Sequence, residues 1–417
     1  METLRFLNPE EVRQVAAEHG TPVYVYDAAT LRVQAAALLA FPNAFGITAR
    51  YAMKALPTAA IIRLLNEAGL HIDASSGYEA ERALRAGVAP EQIQITAQEL
   101  PRNLKELVDR GVLFNACSLN QLEAYGRLSP GTEISARINP GLGSGHSNRT
   151  NVGGPSSSFG IWHEHLDEIK EICARHRLRL TGMHTHIGSG SDPDTWAHCA
   201  GLSLGIVERL PEVTRLSLGG GFKVGRMAGE ISADMALIGN RVMQDFVAFA
   251  SQHGRKLHLE VEPGTFLVAN AGALVCSVAD VVDTGEDGHT FLKIDAGMTE
   301  IVRPAMYGAQ HPIVVVPAAN ESRGHGTYLV AGHCCESGDI LTPEPGNPEG
   351  LLERELTEAR PGDFLVIEGA GAYCASMASR NYNSFPECAE LLREGPGAFR
   401  LIRKRQPLEQ IWQNEVL

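Results

Sequence analysis

Six short stretches of the chain carry side chains whose types and spacing suit chemistry. "ARYAMKALP" (49 to 57) ends an apolar run on Lys54, and "LHIDAS" (70 to 75) and "EISARIN" (133 to 139) carry Asp73 and Arg137. "HTHIGSG" (184 to 190) holds His184, His186 and Ser189, "LGGGF" (218 to 222) strings together Gly219, Gly220 and Gly221, and "EVEPG" (260 to 264) sets Glu262 before a Pro-Gly turn. A neutral lysine amine attacks carbonyl carbon. An imidazole stacks or exchanges protons near neutral pH. Successive glycine amides face an anion, and a carboxylate keeps a proton on a ring nitrogen.

Taken singly, each stretch has a plainer reading. Lys54 is a snorkelling side chain, the histidines are core residues, the glycines make a turn, and Glu262 is a solvated loop carboxylate. The two histidines lie on one face of a strand and lack a convincing third ligand, so no metal site is expected. Together, an amine, a stacking imidazole, a carboxylate for a pyridine nitrogen and a glycine cradle define a site for pyridoxal 5'-phosphate.

The elements that must position these groups are visible as eight short apolar runs at 46–53, 70–75, 93–97, 113–118, 133–139, 181–187, 215–219 and 256–262. Helical patterns fill the gaps, most clearly "TAAIIRLLNEAG" (58 to 69) with its terminal Gly69. Strands alternating with helices read as parallel β/α units. The fold class is therefore α/β: a (β/α)8 TIM-type barrel whose site lies at the carboxyl ends of the strands. On that basis packed neighbours should confine Lys54 at the rim and favour its neutral amine.

From about residue 271 the texture changes to closely spaced strand runs: "ALVCSVADVV", "TFLKIDAG", "HPIVVVP", "TYLVAG", "DFLVIEGAGAY" and "FRLIRK". These predict a second, antiparallel β domain, with "GTPVYVYD" (20 to 27) a candidate to pair with it. The expected division is a barrel over 28–270 and a β domain formed by 1–27 plus 271–417. The Gly/Ser-rich stretch 141–160 reads as a long mobile loop at a strand end.

With 417 residues and 44% hydrophobic content, the chain has enough apolar material for two such cores. A formal charge of −13 without a compact basic block argues against a nucleic-acid partner. The N-terminal "METLRFLNPEEVRQ" lacks the order of a signal peptide, and no apolar run reaches the roughly 18 residues of a membrane span. No membrane association and a cytoplasmic location are the expectation. The eight cysteines are scattered and read as free thiols in a reducing compartment.

In order and spacing, "GTPVYVYD", "YAMKA", "HTHIGSG", "LGGGF", "EPG", "DAGMTEIVRPAMY", "CESGD" and "GAYCASMASRNYN" resemble the alanine-racemase-like, barrel-type pyridoxal phosphate decarboxylases over nearly the whole chain. The resemblance implies that Lys54 bonds the cofactor, His186 stacks on its ring and Glu262 pairs with its pyridinium nitrogen. It implies that Ser189, Gly219, Gly220, Gly221 and Tyr373 hold the phosphate, while Asp73 and Arg137 tune Lys54. Arg303 and Tyr307 are implied to grip the non-reacting end of an amino-acid substrate, with Tyr373 adjoining it. Cys335 and Glu336 are implied to reach across a homodimer with shared active sites, Cys335 protonating the carbon that loses CO2 or assisting a nearby acid in doing so. The reaction implied is decarboxylation of meso-2,6-diaminopimelate to L-lysine, the last step of lysine biosynthesis.

Two positions depart from the family pattern. Where the family reads Glu-Pro-Gly-Arg this chain has Thr265, and Ser158 replaces a lysine in "SSFG". A hydroxyl does not replace a bidentate guanidinium, and Arg226 and Lys223 are substitutes by proximity in sequence alone. A sister activity on D-ornithine or D-lysine, carboxynorspermidine or a carrier-bound amino acid is the alternative. A racemase fits "CESGD" and "RPAMY" less well, and a non-catalytic cofactor-binding barrel has no β domain.

Overall fold

Runs rich in Val, Ile, Leu and Ala suit strands buried on both faces of a parallel sheet. In the computed structural model, which describes residues 2–142, 153–186 and 190–416, they form the closed ring of one of two compact units. That unit comprises 32–224 and 231–267; the other comprises 1–31, 225–230 and 268–417. The division expected from sequence places 225–230 with the barrel. The structure assigns it to the other unit, where Asn270 Nδ2 donates to Gly225 O at 3.1 Å and Arg226 Nε donates to Gly369 O at 3.0 Å.

The barrel strands are Ile47–Ala52, His71–Ala74, Ile93–Thr96, Leu113–Ala116, Glu133–Asn139, Arg179–His184, Arg215–Ser217 and His258–Val261. Each pairs in parallel with the next, and the eighth pairs with the first. Every strand but the fifth ends one to three residues earlier than the apolar pattern suggests. The sixth stops at His184, leaving His186 beyond it, and the seventh stops at Ser217. Gly219 has φ +71°, a left-handed value that ends an extended run.

Helices return the chain between strands, and local chemistry sets their ends. Helix Ala59–Glu67 buries Ile61, Ile62, Leu64 and Leu65 on one face. It stops where Gly69, at φ +104°, takes a conformation that side chains with a Cβ avoid. Ser76 and Ser118 cap the helices Gly77–Arg85 and Leu119–Leu128, their hydroxyls accepting from Glu79 N and Gln121 N at 3.1 Å each.

The second unit is built around the long strand Gly272–Asp283, which pairs with Val23–Asp27, Thr290–Ile294 and Phe364–Ile367. The pairings are antiparallel except for two, Val23–Asp27 with Ala389–Gly395 and Thr290–Ile294 with His325–Ala331. Parallel pairs need long crossovers, and the first of these spans the whole barrel sequence. Helix Pro9–His19, closed by a capping box between Asn8 and Glu11, packs Val12 and Val15 onto the sheet residues Val23, Val25, Val275 and Leu391. Among the described residues no helix is long and apolar enough to cross a membrane.

Candidate active site

The barrel gathers the carboxyl ends of its strands on one rim, and six of the eight strands carry an expected site group at or just past that end. Glu262 directly follows the eighth strand and is only 6% exposed. Ser217 Oγ donates to its Oε1 at 2.9 Å, and Gln94 Nε2 donates to the same oxygen at 3.3 Å. His184 Nε2 lies 3.1 Å from Oε2, off the hydrogen-bond direction, a contact that becomes an ion pair when the ring is protonated. Burial alone would raise the Glu262 pKa. The charges of His184 and Arg50 and the Ser217 hydroxyl outweigh it and hold the carboxyl well below its ordinary range.

Asp73, on the second strand and 2% exposed, behaves in the opposite way. Burial, and then the Glu262 charge, push its pKa up to about 7 against the opposing charge of Lys54. Its Oδ1 has no partner among the described residues. The barrel thus holds one carboxylate ionised and lets a neighbour keep its proton, the arrangement two buried carboxyls adopt when only one is well supplied with cations.

Lys54 sits on the single turn Met53–Ala55 that follows the first strand. Its neighbours Met53, Ala55 and Leu56 are buried, yet the Lys54 side chain is exposed. The expected confinement by packing is therefore not what governs it; its environment is electrostatic, with its charge acting on Asp73, Glu79 and His186. Arg137 on the fifth strand is buried and lies 4.7 Å over the ring of Phe159, within the "SSFG" motif. In that motif Ser158 Oγ accepts from Gln98 Nε2 at 3.1 Å.

His186 accepts from Gly220 N through Nδ1 at 3.2 Å, which places a neutral ring's proton on Nε2. Burial and the charges of Arg137, His184 and Lys54 lower its pKa well below the ordinary value, so the ring is neutral. Gly219 and Gly220 are required by their surroundings: a Cβ at Gly219 would lie 2.4 Å from His186 Nδ1, and one at Gly220 would lie 2.4 Å from Glu262 O. Their amides are used inside the protein, Gly219 N donating to Ser217 Oγ at 3.2 Å and Gly220 N to His186. Gly221, at φ +99°, continues the run, and its carbonyl accepts from Gly190 N at 2.9 Å. Ser189 lies outside the described residues, as does 143–152 of the loop expected over 141–160.

In the other unit, Arg303 opens the short helix Arg303–Tyr307, with Tyr307 half-buried at its end. Tyr373 takes φ +56°, rare for a residue with a side chain. Cys335 and Glu336 are exposed on a loop fixed from beneath by Asp339, which accepts from Met298 N at 2.7 Å and Cys334 N at 2.9 Å. Cys335 N donates to Asn383 Oδ1 at 2.8 Å. Burial and the Asp339 charge push the neighbouring Cys334 thiol up to about 12, so Cys334 stays protonated while Cys335 faces solvent.

The supporting residues Ser217, Gln94 and Arg50 are absent from the set expected from sequence, and so is the contact of His184 with Glu262. The signal for them was a polar residue inside an apolar strand run: Gln94 in "IQITA", Ser217 in "RLSLG" and Arg50 in "ARYAM".

A buried carboxylate kept ionised by hydrogen-bond donors and cationic side chains, with glycines where a Cβ would collide, fits a protonated pyridine ring and its phosphate. Residues 31–269 match the family model described as pyridoxal-dependent decarboxylase, pyridoxal binding domain. The chain belongs to this family of pyridoxal-dependent decarboxylases. It is 39% identical to the diaminopimelate decarboxylase of Escherichia coli (strain K12) over 423 residues, covering 99% of this chain and 97% of that relative. It is also 39% identical to the diaminopimelate decarboxylase of Streptomyces coelicolor over 419 residues, covering 97% and 91%. A crystal structure of diaminopimelate decarboxylase superposes with a TM-score of 0.91 at 38% identity, over 98% of this chain and 96% of that one. The Helicobacter pylori enzyme complexed with L-lysine superposes with a TM-score of 0.83 at 27% identity, over 97% and 98%.

Proposed function

We propose that the chain decarboxylates meso-2,6-diaminopimelate to L-lysine and CO2. The observation that carries this reading is Glu262, a buried carboxylate held ionised at the strand ends of a barrel that also presents Lys54 and a neutral His186. Bound pyridoxal phosphate supplies the electron sink that takes up the pair left behind when CO2 departs. Lys54 binds it through its amine. His186 lies against the ring without adding charge, and Glu262 holds the proton at the ring nitrogen, which keeps the sink strong. Asp73, its pKa raised to about 7, and buried Arg137 set the field around Lys54. Gly219, Gly220 and Gly221, with Ser189 and Tyr373, would hold the cofactor's phosphate.

Arg303 and Glu336 offer the two signs that match the carboxylate and ammonium of the remote amino-acid head, with Tyr307 and Tyr373 beside them. Cys335 returns a proton to the carbon that loses CO2. The protein works as a homodimer in which Cys335 and Glu336 complete the partner's site, and it works in the cytoplasm. Thr265 favours a second reading, a substrate such as D-lysine or D-ornithine that lacks the remote carboxylate. Release of CO2 by the purified, cofactor-loaded protein from each of these amino acids separates the two. Turnover of diaminopimelate in preference to D-lysine is expected, and turnover of D-lysine or D-ornithine without diaminopimelate overturns the assignment.

A further inference from the structure

The loop that exposes Cys335 is held from beneath by Asp339, and a second hold comes from the segment 381–385 of the same unit. Asn383 Oδ1 accepts from Cys335 N at 2.8 Å. Two residues along from Asn383, the Phe385 ring stacks on His333 with centroids 3.6 Å apart and planes 7° from parallel. The edge of the His333 ring is fixed as well: Nε2 lies 2.6 Å from Thr299 Oγ1, whose hydroxyl donates to Glu300 Oε2 at 2.7 Å. That hydroxyl has one proton to give, so the ring donates through Nε2. Burial lowers the His333 pKa to about 4, which leaves the ring a neutral donor near pH 7.

The segment itself is strained. Asn381, Asn383 and Ser384 take φ of +59°, +50° and +61°, left-handed values uncommon for residues with a Cβ. Such backbone persists where its surroundings over-determine it. Here Asn381 Nδ2 donates to Phe385 O at 2.9 Å and to Gln406 Oε1 at 2.6 Å, and Gln406 Oε1 also accepts from Glu387 N at 3.0 Å. A chain reversal alone requires neither the ring stack nor an asparagine whose amide oxygen is spent on the Cys335 backbone.

We infer that Asn383 is a positioning residue for the reaction: braced by the His333–Phe385 stack, it holds the Cys335 backbone so that the thiol returns its proton from one fixed place. The inference rests on the reading of Cys335 as the proton source. Its test compares cofactor-loaded Asn383→Gly and Asn383→Asp with wild type. Glycine takes φ +50° without strain and removes only the side-chain acceptor, whereas aspartate restores an acceptor and tolerates that backbone. For diaminopimelate, Asn383→Gly lowers kcat about 10-fold, within what a slight misplacement of a reacting group costs, with KM changed much less. Asn383→Asp recovers most of the loss. In a Cys335→Ser background Asn383→Gly has little further effect on kcat, because the two residues act in series. Where Cys335→Ser is impaired, an unchanged kcat in folded Asn383→Gly overturns the inference, as does a loss that multiplies in full with that of Cys335→Ser.

Alkylation of Cys335 by iodoacetamide, followed on its own peptide by mass spectrometry, keeps the test independent of turnover. A several-fold faster reaction in Asn383→Gly, reversed in Asn383→Asp, supports the hold of Asn383 on this loop. Equal rates in all three proteins refute it. If Cys335→Ser keeps its full kcat, the reading of Cys335 as proton source fails, and the alkylation rates alone decide whether Asn383 positions the loop.

Discussion

The barrel and the β unit solve the problem of buried charge in opposite ways. Around Glu262 the protein supplies its own balance: the carboxylate faces His184, Ser217 and Gln94 and feels the charge of Arg50, itself paired with Glu260 at 3.0 Å, and a second carboxyl, Asp73, has its pKa raised to about 7. In the β unit, Arg226 Nη2 and Arg303 Nε are buried with no hydrogen-bond partner among the described residues, and burial, then the Arg303 charge, lowers the Arg226 pKa to about 9. The first arrangement is balanced within the protein and offers a fixed negative end to a ring nitrogen. The second leaves buried cations without that balance, which costs stability.

The contrast is sharpened first by removing its reactive centre. Lys54→Ala lowers CO2 release by at least about 1,000-fold, the scale of losing a covalent catalytic amine, and abolishes the yellow absorbance of the bound cofactor. Full activity without Lys54 contradicts the catalytic reading.

Next, Glu262→Gln keeps the shape and deletes the charge, with a fall in kcat of roughly 100- to 1,000-fold, as for other groups that stabilise developing charge. Because the Glu262 charge is one cause of the raised Asp73 pKa, the same variant lets Asp73 titrate closer to its ordinary value. An NMR titration of the Asp73 carboxyl checks this, and an unshifted value breaks the proposed coupling.

A smaller effect tests Asp73 itself. Its pKa in the fold is about 7, above the ordinary 3.8, so the folded chain binds this proton more tightly than the unfolded chain. The stability it contributes is full below pH 3.8 and is lost as pH rises through about 7. Asp73→Asn therefore gains melting temperature relative to wild type between about pH 5 and pH 8, roughly 2–4 °C for each kcal/mol relieved. A difference independent of pH refutes the buried, protonated Asp73.

Smallest of all, Gly69→Ala, which forces a Cβ into φ +104°, costs about 1 kcal/mol of stability without touching the site. Its unfolding midpoint falls while its KM for diaminopimelate stays at the wild-type value.

What the sequence reveals follows the same division. Strands buried on both faces are written as apolar runs, so all eight barrel strands are legible in outline, and Gly69 marks its helix end through backbone conformation alone. The groups at the rim are legible as chemistry because six of the strands end in, or lead directly to, one of them. Their mutual support is not: Gln94 and Ser217 look like ordinary polar interruptions until the ring closes and sets both against Glu262. Arg226 follows the glycine run by a few residues, yet the structure places it in the other unit, where its Nε donates to Gly369 O at 3.0 Å. Only tertiary packing creates that contact, so residue type and spacing suggest Arg226 without showing its partner.

The most direct test of the account is CO2 release by the cofactor-loaded protein from meso-diaminopimelate and from D-lysine, compared as kcat/KM. A preference for diaminopimelate is expected. A preference for D-lysine contradicts the account.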